Sequence, residues 1–149
     1  MKVHTLETDQ WLPRPLFEVF PFFSNAFNLE RITPPLLRFR VTTSPPIEMR
    51  KGTVIEYRLR VHGVPVRWTS EITEWDPPHR FVDEQRRGPY RLWHHEHRFE
   101  ERDGGTLCSD IVRYAAPGGP LVHKLLVERD VRKIFAFRSE VLSDIFQAG

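Results

Sequence analysis

GPLVHKLLVERDVRKIFAFRSEVLSDIF, residues Gly119 to Phe146, is the stretch on which the fold turns. At about 100° of rotation per residue, Val127, Val131, Ile134, Val141, Leu142 and Ile145 fall into one stripe, flanked by Phe135 and Phe137. Glu128, Arg132, Lys133, Ser139 and Glu140 lie off it, the division expected of a helix buried along one side. Pro117-Gly118-Gly119-Pro120 breaks the chain just before, and Pro120 suits a first helical turn, where its missing N–H costs nothing. One residue of the stripe is discordant. Arg138 projects near its centre, where a guanidinium is costly without a partner, so it should face the rest of the fold and be saturated there. Asp110 and Asp83 are its first expected partners, with a ligand carboxylate as the functional alternative and extension of the head to a cavity mouth or helix edge as the third.

Upstream of that helix the period changes. From Leu36 to about Ala115 apolar residues alternate, and prolines and glycines fall between the runs, which reads as a meander of strands. Leu37, Phe39 and Val41 share a face; Ile55, Tyr57, Leu59 and Val61 share the next, with Glu56, Arg58 and Arg60 opposite. His62-Gly63 turns into a strand with Val66, Trp68, Ser70 and Ile72 on one face, and Asp76-Pro77-Pro78 ends it. Phe81, Asp83 and Gln85 open another strand, Gly88-Pro89 breaks the chain, and Arg91 to Glu101 follows. After Asp103-Gly104-Gly105, the last strand places Cys108, Asp110, Val112 and Tyr114 together. Before the meander, Val3 to Leu12 reads as an edge strand and Leu16 to Phe23 as a short helix opened by Pro15. Ser24 is the expected cap of a second short helix running to about Ile32, with Phe27 and Ile32 turned inward. The result is an α+β layout: strand, two short helices, six strands and a long helix, the antiparallel sheet covering the helix stripe.

With 149 residues, 40% hydrophobic and 28% charged, the chain is expected to form a single domain, residues 1–149, with a real core. Lys and Arg total 22 against 20 Asp and Glu, interspersed, which argues against a nucleic-acid partner. Cys108 is alone, so neither an intramolecular disulfide nor a cysteine-based zinc site is available, and a cytoplasmic setting is expected. The first residues lack an apolar core for a signal peptide, and no apolar run approaches spanning length, so no stable membrane insertion is expected.

Chemistry concentrates in Trp93-His94-His95-Glu96-His97-Arg98-Phe99, where alternation puts Trp93, His95, His97 and Phe99 on one face, inward by its aromatic ends. Asp83 and Gln85 on one neighbouring strand, and Asp110 and Tyr114 on the other, would join them in a polar cluster within an apolar lining. Four uses stand open: mutual satisfaction of buried His and Asp, a His-x-His metal site completed by Asp83 or Asp110, acid–base work by His95 or His97, and anchoring of a ligand. No nucleophile elbow, phosphate-binding loop or dinucleotide motif is present, and Cys108 reads as a small core residue.

The order of elements, the Phe22-Phe23-Ser24…Asn28-Leu29-Glu30…Thr33-Pro34-Pro35 segment, the turn Asp76-Pro77-Pro78-His79-Arg80-Phe81, and Gly88-Pro89-Tyr90…Trp93…His95…His97 together resemble the SRPBCC superfamily. Its members include START lipid-transfer domains, the birch-pollen allergen fold and polyketide cyclases, and the resemblance is to a bacterial branch. It implies a helix-grip fold, a seven-stranded antiparallel sheet wrapped around the C-terminal helix and an apolar cavity. The expected function is binding of a small, mainly apolar ligand, lipid-like, polyketide-like or aromatic, by a monomer or weak homodimer without cofactor or metal. Tyr57, Leu59, Trp68, Ile72, Trp93 and Phe99 would line the cavity; Asp83, Gln85, His95, His97, Asp110, Tyr114 and Arg138 would meet the polar end. The alternative is a cyclase or dehydratase in which His95 or His97 moves a proton at an enolisable carbon.

Overall fold

The computed structural model describes residues 2–147. Seven strands, β1 (His4–Leu12), β2 (Arg40–Val41), β3 (Val54–Val61), β4 (Val64–Asp76), β5 (Arg80–Arg87), β6 (Leu92–Arg102) and β7 (Gly105–Ala115), form one antiparallel sheet in the order β1-β7-β6-β5-β4-β3-β2. Helix α1 (Leu16–Phe23) and two 3₁₀ turns (Ala26–Glu30 and Pro35–Leu37) follow β1. The chain ends in one helical rod made of α2 (Gly119–Val122), a π-helical stretch (His123–Val127) and α3 (Glu128–Ile145). This is the helix-grip architecture expected from the sequence.

Local chemistry explains the sheet. The two-residue loops His62-Gly63 and Asp103-Gly104 have φ of 50° and 80°, and 50° and 76°, the paired positive values that suit the twist of a tight hairpin and that glycine takes without strain. Pairing from His4↔Tyr114 to Leu12↔Thr106 brings the first strand beside the last and leaves β1 at the sheet edge. Register shifts in β4–β5, between Thr69 and Ser70 and between Ile72 and Glu74, mark bulge-type irregularities of the kind that raise local strand twist.

Three local expectations are corrected. The strand expected from Leu36 shrinks to Arg40–Val41, because Pro35 opens a 3₁₀ turn and Arg38 takes a left-handed φ of 46° that interrupts an extended run; Phe39 nevertheless packs on Tyr57 with ring centroids 4.8 Å apart. Asn25, not Ser24, caps the second helical segment: its side chain accepts from the Phe27 amide at 3.1 Å, whereas the Ser24 hydroxyl donates to the Pro21 carbonyl at the end of α1. Phe135 lies at the centre of the helix stripe instead of at its flank. The buried series is Val131, Phe135, Arg138 and Leu142, a spacing of four, three and four, with Val127, Ile134, Val141 and Ile145 half-buried beside it.

The core is divided along the helix. Around the C-terminal end of α3, Leu142 and Phe146 meet Leu16, Val19, Phe20 and Phe23 of α1 and Ile72, Phe81, Phe99 and Cys108 of the sheet. Phe20 and Phe23 pack on Phe99 at 5.3 and 5.0 Å between centroids. Cys108 is buried there and its thiol is pushed up to about 12 by burial, then by Asp110, so it serves as a small core residue. Towards the other end the core thins to Val112, Tyr114, Val131 and Phe135. Gln10 ties β1 to the helix, donating to the Ser139 carbonyl at 2.7 Å and to Ser143 Oγ at 2.9 Å.

Candidate functional site

The middle of the grip is occupied by charge. On β6, His95 and His97 both point to the concave face and are buried; the sheet register sets Asp83 of β5 opposite His95 and Asp110 of β7 opposite His97. The hydrogen bonds run diagonally instead. His95 donates from Nε2 to Asp110 Oδ1 at 2.7 Å, and His97 from Nε2 to Asp83 Oδ2 at 2.6 Å. The second nitrogens face the opposite carboxylates, His95 Nδ1 at 3.9 Å from Asp83 and His97 Nδ1 at 3.6 Å from Asp110. The two rings stack with centroids 3.7 Å apart, and Phe81 stacks on the far face of His97 at 4.0 Å. Arg138 descends from α3 and donates to Asp110 Oδ1 at 3.2 Å, its guanidinium lying over Phe23 and Phe135. The inward placement of Arg138 is as the helix period implied and Asp110 is its partner, but the expected saturation is corrected: Nε is buried without a hydrogen-bond partner, because Asp83 is taken by His97.

The electrostatics follow from two carboxylates set against one guanidinium. Burial pushes the Asp110 carboxyl up, but Arg138, then the His95 hydrogen bond and the charges of both imidazoles, outweigh it and hold it below the usual carboxylate range. Burial acts the same way on Asp83, and the His97 hydrogen bond with the charges of His95, His97 and Arg138 again wins. Burial, then His95, pushes His97 down to about 4. A neutral His97 that donates from Nε2 leaves Nδ1 as a lone pair, and that atom is buried without a hydrogen-bond partner, as is Arg138 Nε. Stacked imidazoles between two carboxylates titrate as a unit.

Asp83, His95 and His97 offer ligand atoms all within 4.8 Å of one another, compact enough for a divalent ion. Arg138 beside Asp110 already supplies a fixed positive charge to the same cluster.

The other residues singled out from the sequence distribute differently. Tyr57, Ile72 and Phe99 are buried in the packed clusters, and burial, then Asp83, pushes the Tyr57 hydroxyl up. Gln85 is engaged by the β5–β6 turn: its amide donates to the Tyr90 carbonyl at 2.7 Å and accepts from the Tyr90 amide at 3.1 Å. Gly88 is packed so closely on it that a Cβ there would clash with Gln85 Oε1. Tyr114 points towards the helix start, its hydroxyl 2.9 Å from His123 Nε2. Leu59, Trp68 and Trp93 face inward and are half-buried.

Residues that the pattern did not single out complete this region. Tyr90 joins the two indoles, with centroids 4.8 Å from Trp93 and 5.6 Å from Trp68, while Trp68 and Trp93 meet edge to face at 5.4 Å. The tip of the β3–β4 hairpin crosses to the helix, where His62 Nε2 and Asp130 Oδ2 are 2.7 Å apart. Two clefts, of about 160 and 230 Å³, lie near the helix start and share His4 and His123. Neither is lined by a member of the charged cluster, and neither opens between the sheet centre and α3, where the sequence places the ligand cavity.

The family model described as polyketide cyclase / dehydrase and lipid transport matches residues 12–137. Among solved structures, protein CV1439 from Chromobacterium violaceum aligns over 97% of this chain and 98% of its own with a TM-score of 0.77 at 13% identity. The Zhui aromatase/cyclase from Streptomyces sp. R1128 aligns over 96% and 93% with a TM-score of 0.75 at 15% identity. Ara h 8.0201 aligns over 97% and 98% with a TM-score of 0.72 at 17% identity. At such identities the likeness shows a shared fold alone. No curated protein matches the sequence.

Proposed function

The chain belongs to the polyketide cyclase / dehydrase and lipid transport family, and on that premise we propose that it binds a small, mainly apolar molecule, lipid-like, polyketide-like or aromatic, on the concave side of its sheet. One observation carries the reading. Leu59, Trp68 and Trp93 point inward from β3, β4 and β6 but are only half-buried, whereas Tyr57, Ile72 and Phe99 on the same strands are buried. Inward aromatic surface left partly uncovered in an otherwise packed interior is where an apolar ligand gains most from leaving water. Trp93 also borders the charged cluster, with its ring centroid 6.3 Å from that of His95, so Asp83, His95, His97, Asp110 and Arg138 would orient a polar end. The His62–Asp130 contact spans the hairpin and the helix, and its release would widen access.

The same reading takes residues 1–149 as a single ligand-binding domain, a monomer or weak homodimer acting in the cytoplasm without nucleic acid. Among the described residues no helix is long and apolar enough to cross a membrane. Proton transfer by His95 or His97, as a cyclase or dehydratase would require, has less support: both imidazoles are engaged by carboxylates, and neither lines the two clefts.

Native mass spectrometry of the purified protein tests the proposal, because a co-purified molecule names the ligand class. Titration with the fluorescent apolar probe 1-anilinonaphthalene-8-sulfonate then locates the site. Trp68→Ala and Trp93→Ala should weaken probe binding about tenfold, and Trp11→Ala, on the outer face with its indole on the Arg102 carbonyl, should not. Equal affinity in all three variants would remove the concave aromatic surface as the site.

A further inference from the structure

The second region of interest lies outside the grip, where the first residues of β1, the start of β6 and the β7–α2 turn converge. Its larger cleft, about 230 Å³, is lined by Lys2, His4, Arg91, Ala116, Pro117, Gly118, Gly119, Pro120 and His123. Four of these side chains are basic and none is acidic. Neither Lys2 nor Arg91 forms an ion pair with any described residue, so both heads are free to meet a ligand. The wall formed by Gly118 and Gly119 carries no side chains, and both residues take positive φ, 104° and 77°. A Cβ at Gly119 would meet open space.

The imidazoles make the floor. His4 and His123 stack with centroids 3.4 Å apart and planes 4° from parallel, and Tyr114 holds His123 through the 2.9 Å contact at Nε2. Burial, then the charges of His123 and Lys2, pushes His4 below its ordinary value, with Glu128 acting weakly the other way. Lys2 and Arg91 supply the fixed positive charge of the lining, and no carboxylate lines this cleft. The carboxylate nearest the region, Glu128, lines the smaller cleft and is paired with Arg132 at 3.3 Å.

We propose that this cleft is a binding site for a phosphate-type anion, a phosphomonoester held by Arg91, Lys2 and the His4–His123 pair. Arg91 supplies a planar fork that matches two phosphate oxygens, and Lys2 supplies a point charge. Phosphate can come from a free phosphoester or from a lipid headgroup, and a neighbouring feature makes the sources separable. Leu121, Val122, Leu125 and Leu126, on the helical turns that leave the cleft, are 69%, 38%, 65% and 44% exposed. A headgroup in the cleft would bring its acyl chains over that apolar shelf, whereas a free phosphoester would leave the shelf unused.

Titration of the protein with inorganic phosphate, followed by two-dimensional amide NMR with chloride at equal ionic strength as control, tests the site. Phosphate should move resonances around His4, Arg91 and Gly118, and Arg91→Gln and Lys2→Gln should each raise the apparent Kd at least fivefold. Both side chains are solvent-facing at the cleft rim, so the variants fold normally. Sedimentation with phosphatidylcholine vesicles, with and without phosphatidic acid, distinguishes the sources. Binding to phosphatidic acid vesicles that is lost in Arg91→Gln and in Leu121→Ser/Leu125→Ser supports the headgroup source; phosphate binding without vesicle binding supports the free phosphoester. The proposal is overturned if neither phosphate nor phosphatidic acid binds, or if Arg91→Gln and Lys2→Gln leave binding unchanged. Probe binding at Trp68 and Trp93 reads the concave site separately, so failure of either proposal leaves the other standing.

Discussion

The two ends of the grip are built from similar residues to opposite effect. Around Leu142 and Phe146, Phe20, Phe23, Phe81 and Phe99 interlock and are buried, with Phe22 and Trp75 half-buried at the margin; around Trp68, Tyr90 and Trp93 all three rings are half-buried. Between them lies the charged cluster. The difference comes from what covers each end. Helix α1 lies over the first; at the second, Val131 and Phe135 of α3 and the 3₁₀ turn at Ala26–Glu30 pack against it, and the tip of the β3–β4 hairpin reaches across to the helix. A sheet that grips one helix is packed most tightly where a second helix joins it.

This contrast can be broken most forcefully at the sealed end. Phe99→Ala removes a ring packed on Phe20, Phe23 and Phe81 and should cost about 3–5 kcal/mol in urea unfolding. Trp93→Ala, at the open end, should cost distinctly less; equal losses would mean that both ends are packed alike.

Arg138→Met should come next, at about 3 kcal/mol, because it strips Asp110 of its guanidinium inside the cluster. If Arg138 were a ligand anchor alone, folding would remain near normal and probe binding would vanish, so measuring both quantities on one variant separates the roles.

The cluster also sets a pH dependence. His97 titrates near 6.5 in the unfolded chain and is pushed down to about 4 in the fold, so the unfolded state takes up the proton first and stability falls as pH drops through that window. Asp83 and Asp110, held below the usual carboxylate range, stabilise above about pH 4 and lose that contribution as pH falls through their depressed values. Urea midpoints at pH 7 and pH 5 should differ by an amount on the order of 2 kcal/mol, and His97→Gln should flatten the difference. An unchanged midpoint would contradict the buried neutral imidazole.

The smallest effect belongs to the hairpin contact. His62 is exposed, and His62→Ala should change stability by less than about 1 kcal/mol. Probe association in stopped flow should nonetheless become faster, since the variant loosens the hairpin from Asp130. An unaltered rate would show that access lies elsewhere.

Much of this arrangement was legible in the residues. Alternation alone turned His95, His97, Asp83 and Asp110 to one face, because side chains in a strand alternate without regard to context, and the helical period turned Arg138 towards them. What escaped depended on longer-range partners. Gln85 has the alternation of a site residue, yet the turn made by Gly88 and Tyr90 takes both ends of its amide. Tyr114 sits on the right face but too near the strand end, where His123 claims it. The π-helical stretch His123–Val127 has no periodic signature, and Leu125 and Leu126 within it are exposed where a regular amphipathic reading assigns them no role.

The half-buried aromatic end around Trp68 and Trp93 is the proposed ligand site. Amide and indole NMR during titration with 1-anilinonaphthalene-8-sulfonate tests it most directly. The account expects saturable shifts at the Trp68 and Trp93 indoles and at the amides of Tyr90 and Asp130, with Phe20, Phe99 and Leu142 unmoved. Shifts centred on the α1–Phe99–Leu142 core, or none at either indole, would contradict it.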